Sequence, residues 1–188
     1  MFWGWFDSEV RPLLAKRSVP SDSMITELDE RVTALSLSWE LGPANDGSGG
    51  WAFAISFGAD LGRLASAQAM VDSAPKLNGV QVVLGKPQKI WDGVLELPTA
   101  RGTVIFDTSR WTCLVLSVAG GVAISVVPIG VEEVDEDLVA YAAAIAVQSE
   151  LGELRYAQWV RDLSVLPYET TGAPGIRCKM KELRSLAG

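Results

Sequence analysis

Leu37-Ser38-Trp39-Glu40-Leu41-Gly42 and Trp51-Ala52-Phe53-Ala54-Ile55-Ser56-Phe57 are two short runs whose apolar residues alternate. Leu37, Trp39 and Leu41 share one parity, and so do Trp51, Phe53, Ile55 and Phe57. This is the period-2 pattern of half-buried strands. Residues 42–50 between them are rich in Gly, Asn and Asp and carry Pro43, so the connection reads as a hairpin-like loop. The period then lengthens. Leu61, Leu64, Ala65, Gln68 and Val71 recur at three or four residues, which predicts a helix with that stripe inward. Ala74-Pro75 stops it, because proline disfavours the α region for the preceding residue. Asn78-Gly79 turns the chain, and Val80, Val82 and Leu84 start a third strand. The unit is β-β-α-β. An apolar sheet face and an apolar helix stripe can cover each other in two layers.

Outward from this unit, residues 7–17 predict a short helix that starts in earnest near Arg11, since Pro12 is tolerated only in a first turn. Ser21, Asp22 or Ser23 can cap a second helix, in which Met24, Leu28, Val32 and Leu35 face inward. Past Leu84, short strands are expected at 94–97, ending at Pro98, and at 103–106. Residues 111–118 and 122–127 are β-rich and joined through Gly120-Gly121, a hairpin signal. Residues 138–150 read as a helix with Val134, Leu138, Tyr141 and Ile145 inward and Gly152 just past its end. Residues 155–165 suit either helix or strand, with the reading leaning to strand. Residues 170–175 read as a loop and 178–186 as a terminal helix.

Several motifs resemble a pattern of uncharacterised bacterial proteins: Trp5-Phe6, Leu37-Ser38-Trp39-Glu40-Leu41-Gly42-Pro43, Ile55-Ser56-Phe57-Gly58, Ala74-Pro75-Lys76-Leu77-Asn78-Gly79 and Leu151-Gly152-Glu153. That pattern usually has Trp where Val80 stands and a Pro-Arg pair where Lys86-Pro87 stands. The resemblance implies a fold and supports the strand reading at 155–165. It implies no mechanism, since the family has no established activity.

The composition, 48% apolar and 21% charged over 188 residues, is that of a globular chain and fits a single domain spanning 1–188. Residues 1–20 would be an aromatic segment and short helix, and 21–188 an α+β body with a mostly antiparallel sheet and helices on one side. A net charge of −7 disfavours nucleic acid and anionic membranes, which attract clustered Lys and Arg. No run reaches the ~20 apolar residues that span a bilayer. The aromatic start lacks a basic flank, and Asp7 and Glu9 interrupt it, so it does not read as a secretory signal. The expected location is cytoplasmic. Cys113 and Cys178 sit in no Cys-x-x-Cys pair and read as reduced, packed thiols, with a disulfide the minority reading.

The chain has no histidine. That excludes Ser-His-Asp and Cys-His catalysis and histidine-ligated metals within it. Two glycine patterns fail as phosphate loops. Gly79 to Lys86 has the wrong spacing and Pro87 where Ser or Thr is needed. Gly47-Ser48-Gly49 precedes a strand rather than opening a helix. No catalytic, metal or cofactor site is therefore assigned.

Glu132, Glu133, Asp135, Glu136 and Asp137 read first as a helix start that complements the macrodipole, and second as a contact for a basic partner. Glu40, Glu96 and Glu153 are the acids that a ligand pocket would use. Trp3, Trp5 and Trp91 lie in weakly patterned sequence and are candidates for a contact surface, since Trp is favoured at interface hot spots. The functional expectation is a non-catalytic protein-interaction module, like an immunity protein by analogy. The alternative is a small-ligand binder or enzyme with carboxylates in a Trp-lined pocket. A homo-oligomer joined through the N-terminal aromatics is a third expectation.

Overall fold

The computed structural model describes residues 2–16, 20–44, 49–166 and 174–186. It is an α+β fold with mostly antiparallel sheets. The chain divides into two compact units, Met1–Pro87 and Gln88–Gly188.

The first unit opens with α1 (Phe2–Trp5), a π-helical stretch (Phe6–Val10) and α2 (Arg11–Ala15), in which Pro12 occupies the first turn. Proline donates no hydrogen bond and its ring crowds the preceding turn, so the α pattern restarts there after a π stretch. Then come α3 (Asp22–Thr33), β1 (Ser38–Pro43), β2 (Trp51–Ser56), α4 (Leu64–Asp72) and β3 (Val80–Leu84). The β1–β2 pair is antiparallel, with Trp39 opposite Ile55 and Pro43 opposite Trp51, as the alternation and loop imply. The β2–β3 pair is parallel and is reached through α4. Four of the five loop residues at 45–49 that tip this hairpin, 45–48, lie outside the described residues, and with them most of the Gly47-Ser48-Gly49 motif.

Ser21 caps α3 by accepting from Met24 N. The stripe expected on α4 is rotated. Ala67 and Met70 are buried, while Leu61, Ala65 and Gln68 are exposed. Leu61 belongs to a 3-10 turn, Leu61–Arg63, capped by Asp60. Its three-residue period puts Leu61 out of phase with the helix that follows.

Strand β2 is central, and every residue from Ala52 to Ser56 is buried, so both of its faces are covered. The N-terminal aromatics pack on it. The rings of Phe6 and Phe53 are 4.7 Å apart, and Phe2, Trp3 and Trp39 also surround Phe53. Burying one such ring stabilises by about 2–3 kcal/mol.

The second unit contains two sheets. Strands β4 (Val94–Thr99) and β5 (Gly102–Asp107) form an antiparallel ribbon, and Pro98 sits within β4, which proline allows in an edge strand. Strands β6 (Thr112–Val118), β7 (Gly121–Val127), β8 (Val160–Val165) and β9 (Ile176–Lys179) form a sheet in the order β8-β7-β6-β9. The β6–β7 hairpin turns at Ala119-Gly120, with Gly120 at φ 77°. A side chain at Gly121 would meet the Trp159 carbonyl oxygen at 2.2 Å, so only glycine fits.

Helix α5 (Glu136–Leu151) buries Val139, Ala142, Ala143, Ala146, Val147 and Glu150, and of the predicted stripe Leu138 and Ile145 pack half-buried against the same core. Val134 precedes the helix and Tyr141 is exposed. The alanines pack inward because a small residue lets the helix approach its neighbours closely. Gly152, at φ 76°, separates α5 from α6 (Glu153–Trp159). The leaning to strand at 155–165 therefore holds only from Val160 onward. The expected terminal helix is instead β9, a 3-10 turn (Met180–Glu182) and a short α7 (Leu183–Leu186). Branching at Ile176 and the pairing offered by β6 favour a strand there over local helix propensity. No helix among the described residues is long and apolar enough to cross a membrane.

Candidate functional site

Two concavities in the second unit bring polar side chains together. The first is built on Glu150. Its place on the inner face of α5 follows from the spacing Val139, Ala143, Ala146, Glu150, which is i, i+4, i+7, i+11. A carboxylate in the last turn of a helix meets the negative end of the macrodipole. Here that charge is answered by α7. Glu150 is 3% exposed. Its Oε2 accepts from Arg184 Nε at 2.9 Å and from Arg184 Nη2, and its Oε1 accepts from Trp91 Nε1 at 2.9 Å. Gln88 Nε2 donates to the Glu150 carbonyl, and Lys89 N donates to the Ser149 carbonyl at 2.8 Å. The end of α5, the 88–92 segment and α7 are thus tied at one carboxylate. Beside it lies a cavity of about 250 Å³, with Asp92, Ser109, Met180 and Lys181 also on its wall.

The second concavity is a groove of about 520 Å³. Its apolar side chains are Pro128, Val131, Val134, Val139, Val165 and Leu166, and Glu132 and Glu136 stand on its edge. All five acids of 132–137 are exposed. Asp135 caps α5: its Oδ1 accepts from Asp137 N at 3.1 Å and from Leu138 N at 3.2 Å. Glu132 accepts from Gly130 N at 3.3 Å. None of the five forms an ion pair among the described residues. Acids that cap and complement a helix start thereby also charge the rim of an apolar groove.

The other candidates are dispersed. Trp3 is half-buried, and its Nε1 donates to Met70 O and Ser73 Oγ, both at 3.0 Å. Trp5 is half-buried with the Arg31 guanidinium 4.4 Å from its ring centroid. Trp91 holds Glu150. Glu40 lies on β1 in the first unit, half-buried and opposite Ala54. Glu96 is exposed on β4 opposite Ile105. Glu153 is fully buried at the start of α6. None of these three acids lines either concavity. Glu150 and Arg184 were missed, although Glu150 sits at helical spacing on the alanine face. Nothing local to Arg184 marks it as its partner.

Among the described residues, no group of three or more His, Cys, Asp or Glu is placed to hold a metal ion. No family model, no curated protein and no solved structure matches the chain.

Proposed function

We propose that the chain is a non-catalytic interaction protein whose second unit receives a basic, apolar-bearing segment of a partner protein in the groove between Pro128 and Leu166. The observation that carries this reading is the pairing of an apolar floor with Glu132 and Glu136 on the rim. Apolar side chains of the partner gain from leaving water. The charged rim sets their orientation and speeds their approach. The exposed Glu133 and Asp137 extend the same field.

The test is direct binding of two fluorescent peptides of equal length, one alternating Leu with Lys and one alternating Leu with Glu. The Lys peptide should bind the full chain and the Glu peptide should not. Raising the salt should weaken the complex, because rim charges are screened. Glu132→Gln with Glu136→Gln should weaken binding about tenfold, the equivalent of ~1.4 kcal/mol. Equal binding of the two peptides, or no change in the double variant, would sink the proposal.

A second reading rests on the Glu150 cavity, whose Trp91 wall and buried carboxylate match a small-ligand site. There Lys181 and Ser109 would orient a small polar molecule. A thermal shift with small carboxylates that is lost in Lys181→Met would favour it.

A further inference from the structure

Strand β9 lies at the sheet edge against β6, and the antiparallel register sets Cys178 directly opposite Cys113. Both are free thiols and both are buried. Opposed residues in an antiparallel pair have Cα atoms about 4.5 or 5.5 Å apart, depending on their place in the ladder. Either value falls within the roughly 4.4–6.8 Å that a disulfide spans. A bond between these sulfurs therefore needs side-chain rotation and no rearrangement of the sheet.

We propose that Cys113 and Cys178 are a redox pair, a modification site at which a hydroperoxide converts two thiols into a disulfide across β6 and β9. Cys178 is the attacking sulfur, since it lies on the edge strand and is 8% exposed while Cys113 is fully buried. The facing Cys113 thiol holds the pKa of Cys178 below the ordinary value. The facing Cys178, burial and the charge of Glu150 push the Cys113 thiol up. The thiolate is the nucleophile. Its sulfur attacks one peroxide oxygen, the O–O bond breaks, and the alkoxide leaves as an alcohol after taking a proton. Cys178 becomes a sulfenic acid. Its negative charge is then gone, so Cys113 ionises more readily. The Cys113 sulfur attacks the Cys178 sulfur, the S–O bond breaks, and hydroxide leaves with the Cys113 proton as water. In sum, two thiols and one hydroperoxide give one disulfide, one alcohol and one water.

The bond would be read out beyond the sheet. The chain continues from Cys178 into Met180, Lys181 and Arg184, which line the cavity at Glu150. Met180 Sδ is also 3.7 Å from Cys113 Sγ, so it is the competing target for oxidation.

The test exposes the full-length reduced protein to hydrogen peroxide and follows thiol titre and intact mass. The expected result is loss of both thiols with a mass decrease of two hydrogens, reversed by dithiothreitol. Cys113→Ala should trap a sulfenic acid on Cys178, detected with a dimedone probe. Cys178→Ala should leave Cys113 unmodified over the same time. Retention of both thiols in the wild-type protein, under conditions that oxidise glutathione, would overturn the proposal. So would a gain of oxygen at Met180 with both thiols intact, or a disulfide only between chains.

Discussion

Glu150 shows how one side chain can be decided by its surroundings. Two of its hydrogen-bonding partners, Trp91 and Arg184, are far from it in sequence, and it is 3% exposed. Truncating it would leave the indole N–H and the guanidinium to find other acceptors. Arg184 is partly exposed and can turn to water, which limits the loss. Glu150→Ala should therefore cost about 2–3 kcal/mol, somewhat below the full cost of breaking a buried pair. Glu150→Gln should cost less, because an amide oxygen still accepts from Trp91 Nε1. Urea denaturation of the three proteins checks this, and equal stabilities for Ala and Gln would mean that the Trp91 bond contributes nothing. Helical spacing puts Glu150 on the alanine face of α5, one step round from the stripe expected there through Leu138, Tyr141 and Ile145. Its salt bridge was not legible, since a contact with Arg184 depends on where α7 ends up.

At the scale of elements, local chemistry was the most readable part of the chain. The β1–β2 hairpin, the turn at Gly120, the restart at Pro12 and the end of α5 at Gly152 all follow from alternation or from residues with restricted backbones. Helix faces were read less well. Leu61 and Val134 precede the helices whose stripes they were expected to join; the α4 stripe is rotated, while on α5 Leu138 and Ile145 flank the buried alanine face and Tyr141 is exposed. Pairings such as β7 with β8 and β6 with β9 leave no periodic signal, so the meeting of Cys113 and Cys178 was not foreseen. Asp135 lets the two roles of the acidic run be separated. Asp135→Ala removes a cap and should destabilise by ~1 kcal/mol, whereas Asp135→Asn keeps an accepting oxygen and should be close to neutral. If both substitutions cost the same in thermal denaturation, the charge rather than the cap is what stabilises α5.

For the whole molecule, composition pointed to a globular chain, and the alternating and helical periods to an α+β fold. The described core of the second unit runs from Phe106 and Trp111 to Val147 and Leu183. The first unit has its own buried set around Phe6, Phe53, Ile55 and Phe57. Two such cores are expected to unfold in separate cooperative transitions. Gly121→Ala is a perturbation confined to the second unit, since its Cβ would lie 2.2 Å from the Trp159 carbonyl oxygen. It should destabilise that unit by roughly 3 kcal/mol or more, as overpacking against backbone does. Gly42→Ala, in the first unit, meets nothing within 4 Å and should change stability by no more than about 0.5 kcal/mol. Hydrogen exchange followed by mass spectrometry resolves the two units by peptide. With Gly121→Ala, amides of β6, β7 and α5 should exchange faster while those of β2 and β3 keep their wild-type rates. Acceleration of both sets by the same factor would mean that the chain unfolds as one cooperative body.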